Sequence, residues 1–309
     1  MGRVSLTRLL GWLSIAVVAT ITFFVSACSS ADAVDDAGRL RIVATTSIVG
    51  DVAAQIGGDS VYLSIFLPIG IDPHTFDPTP QDVATLSAAE IVFINGVELE
   101  AFIEPLLDNI EATVVIVAVS EGLELIEFGD HSGNDADPHV WLDPNNVIYW
   151  TEIIERVLSQ HNPTNAEQYA TNAAAYRAEL DSLDDWIETE LEPLEPHQRK
   201  LVTDHASLAY FAHRYNFEIV GSIVPGYSSI AEPSAQDLAE LQDAILELNA
   251  KAIFVGSTVN HTLAARLAED TGIQLVALYT GSLSKPDGPA GTYLDYMQYN
   301  VEAIKAALQ

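Results

Sequence analysis

Three histidines stand in similar company: Asp72-Pro73-His74, Asp137-Pro138-His139 and Asp204-His205. Each imidazole follows a carboxylate by one or two positions, and two of them sit directly behind a proline. Proline fixes φ and removes a backbone donor, so Pro68, Pro73 and Pro78 exclude a helix or an inner strand around His74 and leave a shaped loop. That loop presents His74 between Asp72 and Asp77. Imidazoles on stiff loops with carboxylates behind them suit a divalent metal ion, because one ring nitrogen binds while the carboxylate orients the other. One such pair is commonplace in an acidic chain, whereas three point to a shared site. Neutral imidazole is a borderline donor that suits Zn²⁺, normally tetrahedral with Zn–N near ~2.0–2.1 Å. His161, His197, His213 and His261 read as surface or cap residues, and His131 as part of a solvated acidic loop.

The elements that must position these rings alternate. Leu40–Thr46 reads as a strand by its β-branched content, Ser47 as the cap of a helix to about Ile56, and Val61–Phe66 as the strand leading into the His74 loop. A helix from Pro80, a strand over Ile91–Ile94, a helix over Glu98–Leu107, a strand over Thr113–Val119 and a helix from Asn145 to about Gln160 complete a first lobe. Asn162-Pro163 then opens a long helix, with Asn at the cap and Pro in the first turn. Tyr169, Ala173, Tyr176, Leu180, Leu183, Ile187 and Leu191 recur along it at three- and four-residue spacing. From 163 to 192 it would extend roughly 45 Å, enough to join two lobes. The second half repeats the alternation, with strands at Lys200–Thr203, Glu218–Ile223, Ala252–Val255 and Gln274–Leu278 and a closing helix from Gly291 to Leu308. The fold class expected is α/β: two Rossmann-like lobes with parallel sheets, joined by one long helix. Ligands of open parallel sheets sit beyond the strands' carboxyl ends, so the three rings should meet in the cleft between the lobes.

The chain has 309 residues, enough for two lobes, with 13 basic against 44 acidic residues and a formal charge of −31. That field repels nucleic acid and anionic membrane surfaces and tolerates a cation, although solubility or a saline medium accounts for most of the excess. The single cysteine is Cys28. Arg3 and Arg8 precede an uncharged run from Leu9 to Val25, and Val25-Ser26-Ala27-Cys28 resembles a bacterial lipobox. Residues 1–27 therefore read as a lipoprotein signal peptide, with an uncleaved anchor as the alternative, and 28–38 as a flexible tether. Residues 39–161, 162–193 and 194–309 then form the first lobe, the linking helix and the second lobe. Either leader places the remainder outside the cytoplasmic membrane, and with one cysteine no intramolecular disulfide forms.

Leu67–His74, Asp137–Pro144, Leu201–His205, Ala231-Glu232-Pro233-Ser234 and Gly291-Thr292-Tyr293-Leu294 together resemble the motifs of the zinc/manganese-binding lipoproteins of ABC importers, in the same order and over nearly the whole chain. The resemblance implies two related lobes, one metal ion in the cleft, delivery to a membrane permease, and His74, His139 and His205 as ligands. A monomer lipid-anchored through Cys28 is expected. Two positions depart from the family. Gly281 stands where members commonly carry an aspartate ligand, leaving Asp287, Glu232 or water for the fourth position, and Gly256 stands where members often carry glutamate. Three nitrogens favour zinc over manganese, which prefers oxygen donors. The rival readings are a zinc hydrolase with Asp204 or Glu232 as base, and a surface adhesin. Neither an HExxH stretch nor a Gly-x-Ser-x-Gly elbow supports the first, and nothing specifies a partner for the second.

Overall fold

The computed structural model describes residues 39–103, 106, 113–127 and 136–309. The leader with Cys28, and His131, lie outside the described residues. Among the described residues, eight strands form two four-stranded sheets. The first holds β1 (Leu40–Ala44), β2 (Val61–Ile65), β3 (Ile91–Ile94) and β4 (Val115–Ala118) in the order β2-β1-β3-β4. The second holds β5 (Lys200–Thr203), β6 (Glu218–Ser222), β7 (Ala252–Gly256) and β8 (Gln274–Leu278) in the equivalent order β6-β5-β7-β8. Every pairing within the two sheets is parallel. In each sheet the chain leaves the inner strand for one neighbour and then crosses to the other side, so a crevice opens beyond the ends of β1 and β3, and again beyond β5 and β7.

Helices α1 (Ser47–Gly57), α2 (Pro80–Ser87) and α3 (Pro144–His161) accompany the first sheet, and α5 (Ala209–Tyr215), α6 (Ala235–Glu247), α7 (Thr262–Thr271) and α8 (Tyr293–Leu308) the second. Helix α4 (Ala166–Leu191) joins the two halves. All seven residues of its expected stripe, from Tyr169 to Leu191, are buried. They pack against α1, α3 and α8 within one apolar cluster that also contains Ile42 and Phe93 of the first sheet and Leu201 and Phe254 of the second. The lobes therefore share a core, and smaller clusters cover the outer face of each sheet. Among the described residues no helix is long and apolar enough to cross a membrane.

Three local expectations are corrected. Thr46, not Ser47, caps α1: its backbone is extended, and its hydroxyl accepts the Val49 N–H at 3.2 Å. Ser47 is already helical, and its hydroxyl instead accepts the Leu283 N–H of the other lobe at 2.9 Å. At the linking helix, Pro163 heads a 3₁₀ turn over Pro163–Asn165, and the α-helix begins only at Ala166. Over 97–103 the chain forms successive tight turns where the expected helix would begin, and Leu106, farther along the expected span, is helical. The buried Glu100 carboxylate is the cause. It accepts the Asn95 N–H at 2.6 Å, the Gly96 N–H at 3.0 Å and the Thr45 hydroxyl at 2.6 Å. Those bonds hold Gly96, Val97 and Glu98 at positive φ, a region that a β-branched residue rarely adopts and that is incompatible with a right-handed helix.

Candidate metal centre

Each of the three rings is placed by a carboxylate close behind it in the chain. His74 lies on the loop after β2, where the Pro68 carbonyl accepts the Ile71 N–H and the Asp72 carbonyl accepts the Thr75 N–H, closing two tight turns. Asp72 is buried and its Oδ1 accepts the His74 N–H at 3.0 Å, while Oδ2 accepts the Ser229 hydroxyl from the second lobe. Of the two acids flanking His74, only Asp72 turns inward, and Asp77 is exposed. His139 precedes a 3₁₀ turn leading into α3. Oδ1 of the fully buried Asp137 accepts both the His139 N–H at 2.9 Å and the ring at Nδ1, at 2.7 Å. His205 follows β5 and is held in the same way by Asp204, whose Oδ1 accepts its N–H at 2.7 Å and meets its Nδ1 at 2.8 Å. Asp204 Oδ2 in turn accepts the Gly256 N–H, at the end of β7, at 2.7 Å.

The two crevices are thus built alike. In each, a buried carboxylate accepts N–H groups from the end of the third strand, Glu100 in the first lobe and Asp204 in the second. Only Asp204 also holds an imidazole.

With their Nδ1 hydrogens directed at carboxylates, His139 and His205 turn bare Nε2 lone pairs toward the cleft. The two Nε2 atoms are 3.2 Å apart, and His74 Nε2 lies 3.3 Å from that of His139. One ring nitrogen from each of the three lies within 4.8 Å of the others. Donors ~2.0–2.1 Å from a tetrahedral ion are about 3.3–3.4 Å from one another, so the two separations from His139 match edges of a zinc tetrahedron. Facing lone pairs at this distance repel unless a cation lies between them. No carboxylate of the described residues joins this group. Glu232 and Asp287 are both exposed, although Glu232 lines a cavity of about 250 Å³ beside His205.

Charge reinforces the geometry. Burial, and then the neighbouring rings of His139 and His205, push the His74 pKa down to about 3. Burial, and then His205, hold His139 well below the usual imidazole value. Both rings therefore stay neutral and keep their metal-binding lone pairs at neutral pH. The two orienting acids diverge. Burial lifts Asp137 to about 8 despite its bond from the His139 N–H, and its second oxygen has no partner. Burial also acts to raise Asp204, but hydrogen bonds from His205 and Gly256 outweigh it and hold this carboxyl below its ordinary value.

Several supporting residues carry no sequence signature. Asn95 donates to the Pro138 carbonyl at 3.0 Å, steadying the peptide before His139. Tyr210, on α5, donates to the Asp137 carbonyl at 3.1 Å and accepts the Ile126 N–H at 3.0 Å, closing the neck of the loop that ends at Asp137. Trp141 stacks edge-on against His139 at 5.3 Å and donates to the Thr280 carbonyl at 3.0 Å across the lobes. Gly281 and Gly256 leave little room for a side chain. A Cβ on Gly281 would lie 3.0 Å from Pro73 Cδ, and one on Gly256 would lie 2.2 Å from Thr280 Oγ1.

Residues 42–307 match the family described as zinc-uptake complex component A, periplasmic. The chain is 31% identical over 295 residues to the manganese-binding lipoprotein MntA of Halalkalibacterium halodurans, covering 94% of this chain and 97% of MntA. It is 30% identical to the iron ABC transporter substrate-binding lipoprotein MtsA of Streptococcus pyogenes, covering 93% of this chain and 94% of MtsA. Among solved structures, the periplasmic zinc-binding protein TroA of Treponema pallidum superposes with a TM-score of 0.82 at 27% identity, over 88% of this chain and 99% of TroA. The manganese-bound periplasmic metal-binding protein of Candidatus Liberibacter asiaticus superposes with a TM-score of 0.79 at 27% identity, over 88% of this chain and all of that one.

Proposed function

From the premise that the chain belongs to the family of periplasmic zinc-uptake component A, we propose that it captures one divalent transition-metal ion outside the cytoplasmic membrane and passes it to an ABC importer permease. His74, His139 and His205 are the ligands. The observation that carries this reading is the set of Nε2 atoms 3.2 and 3.3 Å apart, two of them on rings whose Nδ1 is engaged by a carboxylate. Relatives are named for manganese, iron or zinc, so family membership leaves the cargo open, and the donor set is what supports zinc here. Three neutral nitrogens without a carboxylate favour zinc over manganese. Anchoring through a lipid on Cys28 would keep a monomeric carrier close to its permease.

Carriage, not catalysis, suits the arrangement. Asp204, the acid behind His205, already accepts ring and backbone hydrogens on both oxygens, which leaves it no free oxygen to serve as a general base.

The test is metal content and competitive affinity on residues 29–309, freed of metal and offered Zn²⁺ and Mn²⁺ together. One zinc per chain, lost in His139→Ala with an unchanged apo circular dichroism spectrum, is the expected result. Manganese retained against zinc would reassign the cargo. Zinc held equally tightly by His139→Ala would overturn the ligand set.

A further inference from the structure

We propose that Trp141 is a positioning residue that sets the span between His139 and His205, and so selects against divalent ions larger than zinc. The inference rests on the three-histidine site proposed above and concerns what fixes its width. Trp141 belongs to the first lobe, on the 3₁₀ turn that follows His139. Its buried ring meets the His139 imidazole edge-on, with centroids 5.3 Å apart and planes at 62°. The Nε1–H donates to the Thr280 carbonyl of the second lobe at 3.0 Å and is shared with the Tyr296 hydroxyl at 3.1 Å. The Trp141 carbonyl accepts the Tyr293 hydroxyl at 2.7 Å, so α8 holds this residue twice.

Beyond Thr280 the contacts run on to the second ligand. Thr280 Oγ1 fills the space of a Gly256 side chain, 2.2 Å from where its Cβ would stand. Asp204 accepts the Gly256 N–H on one oxygen and holds the His205 ring with the other. His139, Trp141, Thr280, Gly256, Asp204 and His205 are all buried, and the facing Nε2 atoms close the circuit at 3.2 Å. His74 stands outside it, on a loop where Asp72 accepts its backbone N–H and the ring is only half-buried. A closed circuit of close-packed buried groups transmits strain and does not stretch freely. A wider ion must therefore push His139 and His205 apart against the whole circuit, whereas His74 yields with its loop. Zinc fits the span as it stands.

Cadmium(II) is the probe, because it shares zinc's charge and filled d shell, and hence its lack of a preferred geometry, but has a larger radius. Zinc and cadmium affinities are measured by chelator competition on metal-free residues 29–309 and on three variants. Trp141→Phe keeps a ring beside His139 but loses the bond to Thr280. Thr280→Ala keeps that bond and removes the joint with Gly256. Tyr296→Phe is the control: it removes the hydroxyl that donates to the Thr280 carbonyl at 2.8 Å but leaves the Trp141–Thr280 bond in place. The zinc-to-cadmium affinity ratio should fall about tenfold in Trp141→Phe and Thr280→Ala and stay within about twofold of the parent in Tyr296→Phe, although Tyr296→Phe should lose as much urea stability as Trp141→Phe. An unchanged ratio in Trp141→Phe, or an equal fall in Tyr296→Phe, would overturn the proposal and reduce Trp141 to core packing. Should Trp141→Phe not fold, an unchanged ratio in Thr280→Ala would overturn it alone. Zinc binding undiminished by His139→Ala would instead refute the three-histidine site, so the two failures are distinguishable.

Discussion

Asp204→Asn should weaken metal binding ~10–100-fold, the usual consequence of removing an outer partner of a ligating histidine. The carboxylate accepts three hydrogens, from His205 N, His205 Nδ1 and Gly256 N, at 2.7, 2.8 and 2.7 Å. An amide has only one acceptor oxygen. If that oxygen stays with His205, the NH₂ group faces the Gly256 N–H, donor against donor, and one charge-assisted bond worth ~1.5–3 kcal/mol disappears. If it turns to Gly256, His205 loses its orienting acceptor. A 10–100-fold loss corresponds to ~1.4–2.7 kcal/mol in binding, so affinity and apo stability should fall by similar amounts. Asp137→Asn supplies the contrast. Its second oxygen has no partner to oppose, and burial already lifts its pKa to about 8, so the neutral amide resembles the acid that the apo protein holds near neutral pH. Metal affinity should fall, but apo stability by less than ~1 kcal/mol. The comparison is made at pH 7, where the Asp204 contribution is fully present: its folded pKa is depressed, so that stability is lost only as pH falls below ~3.8. Competition with a chromophoric chelator gives the affinities and urea unfolding the stabilities. Equal stability losses in the two variants, or an Asp204→Asn affinity within threefold of the parent, would refute the reasoning.

Ser229→Ala removes the hydroxyl that reaches Asp72 across the cleft; metal release into excess chelator should quicken by about tenfold, and an unchanged rate in stopped flow would show that this bond does not hold the cleft shut. The metal-free protein should be most stable near pH ~6.5. His74 and His139 have lowered pKa values, so each costs up to ~1.4 kcal/mol per pH unit as pH falls below ~6.5. Asp137, raised to about 8, works the other way and loses stability as pH rises toward that value; the decline above the maximum should vanish in Asp137→Asn, as urea unfolding across pH would reveal. Gly256→Ala places a methyl 2.2 Å from Thr280 Oγ1 and should cost ~1–3 kcal/mol, with Thr280→Ala restoring part of the loss in a double-mutant cycle.

Features legible in the sequence were those whose cause is local or periodic. The stripe of α4 follows from three- and four-residue spacing, and all seven of its residues are buried. The three Asp–His pairs were visible because the orienting carboxylate precedes its ring by one or two residues, and for His139 and His205 the structure draws the pair together. Failures came where a distant group overrode local preference. Glu100 turns the expected start of a helix into tight turns by taking the amides of Asn95 and Gly96, and no periodicity announces that capture. Ser47 resembles a cap, yet its hydroxyl serves Leu283, 236 residues away. Ser229, Asn95 and Tyr210 were missed as supports of the site because each is a common polar residue whose partner lies in another segment.

The apolar stripe of α4 runs through a core drawn from both sheets, and this makes the molecule resemble a macrocyclic chelator more than a pair of jaws. Two of its donor rings are pinned by carboxylates on loops tied to that shared core, so the scaffold itself limits the conformational entropy lost on binding. The same stiffness bars an easy exit: an ion cannot leave by swinging whole lobes apart without breaking the core they share. Escape must begin at the rim, at the Asp72–Ser229 tie and the half-buried ring of His74. Such a cage predicts slow spontaneous leakage and unloading that is driven from outside, at that rim.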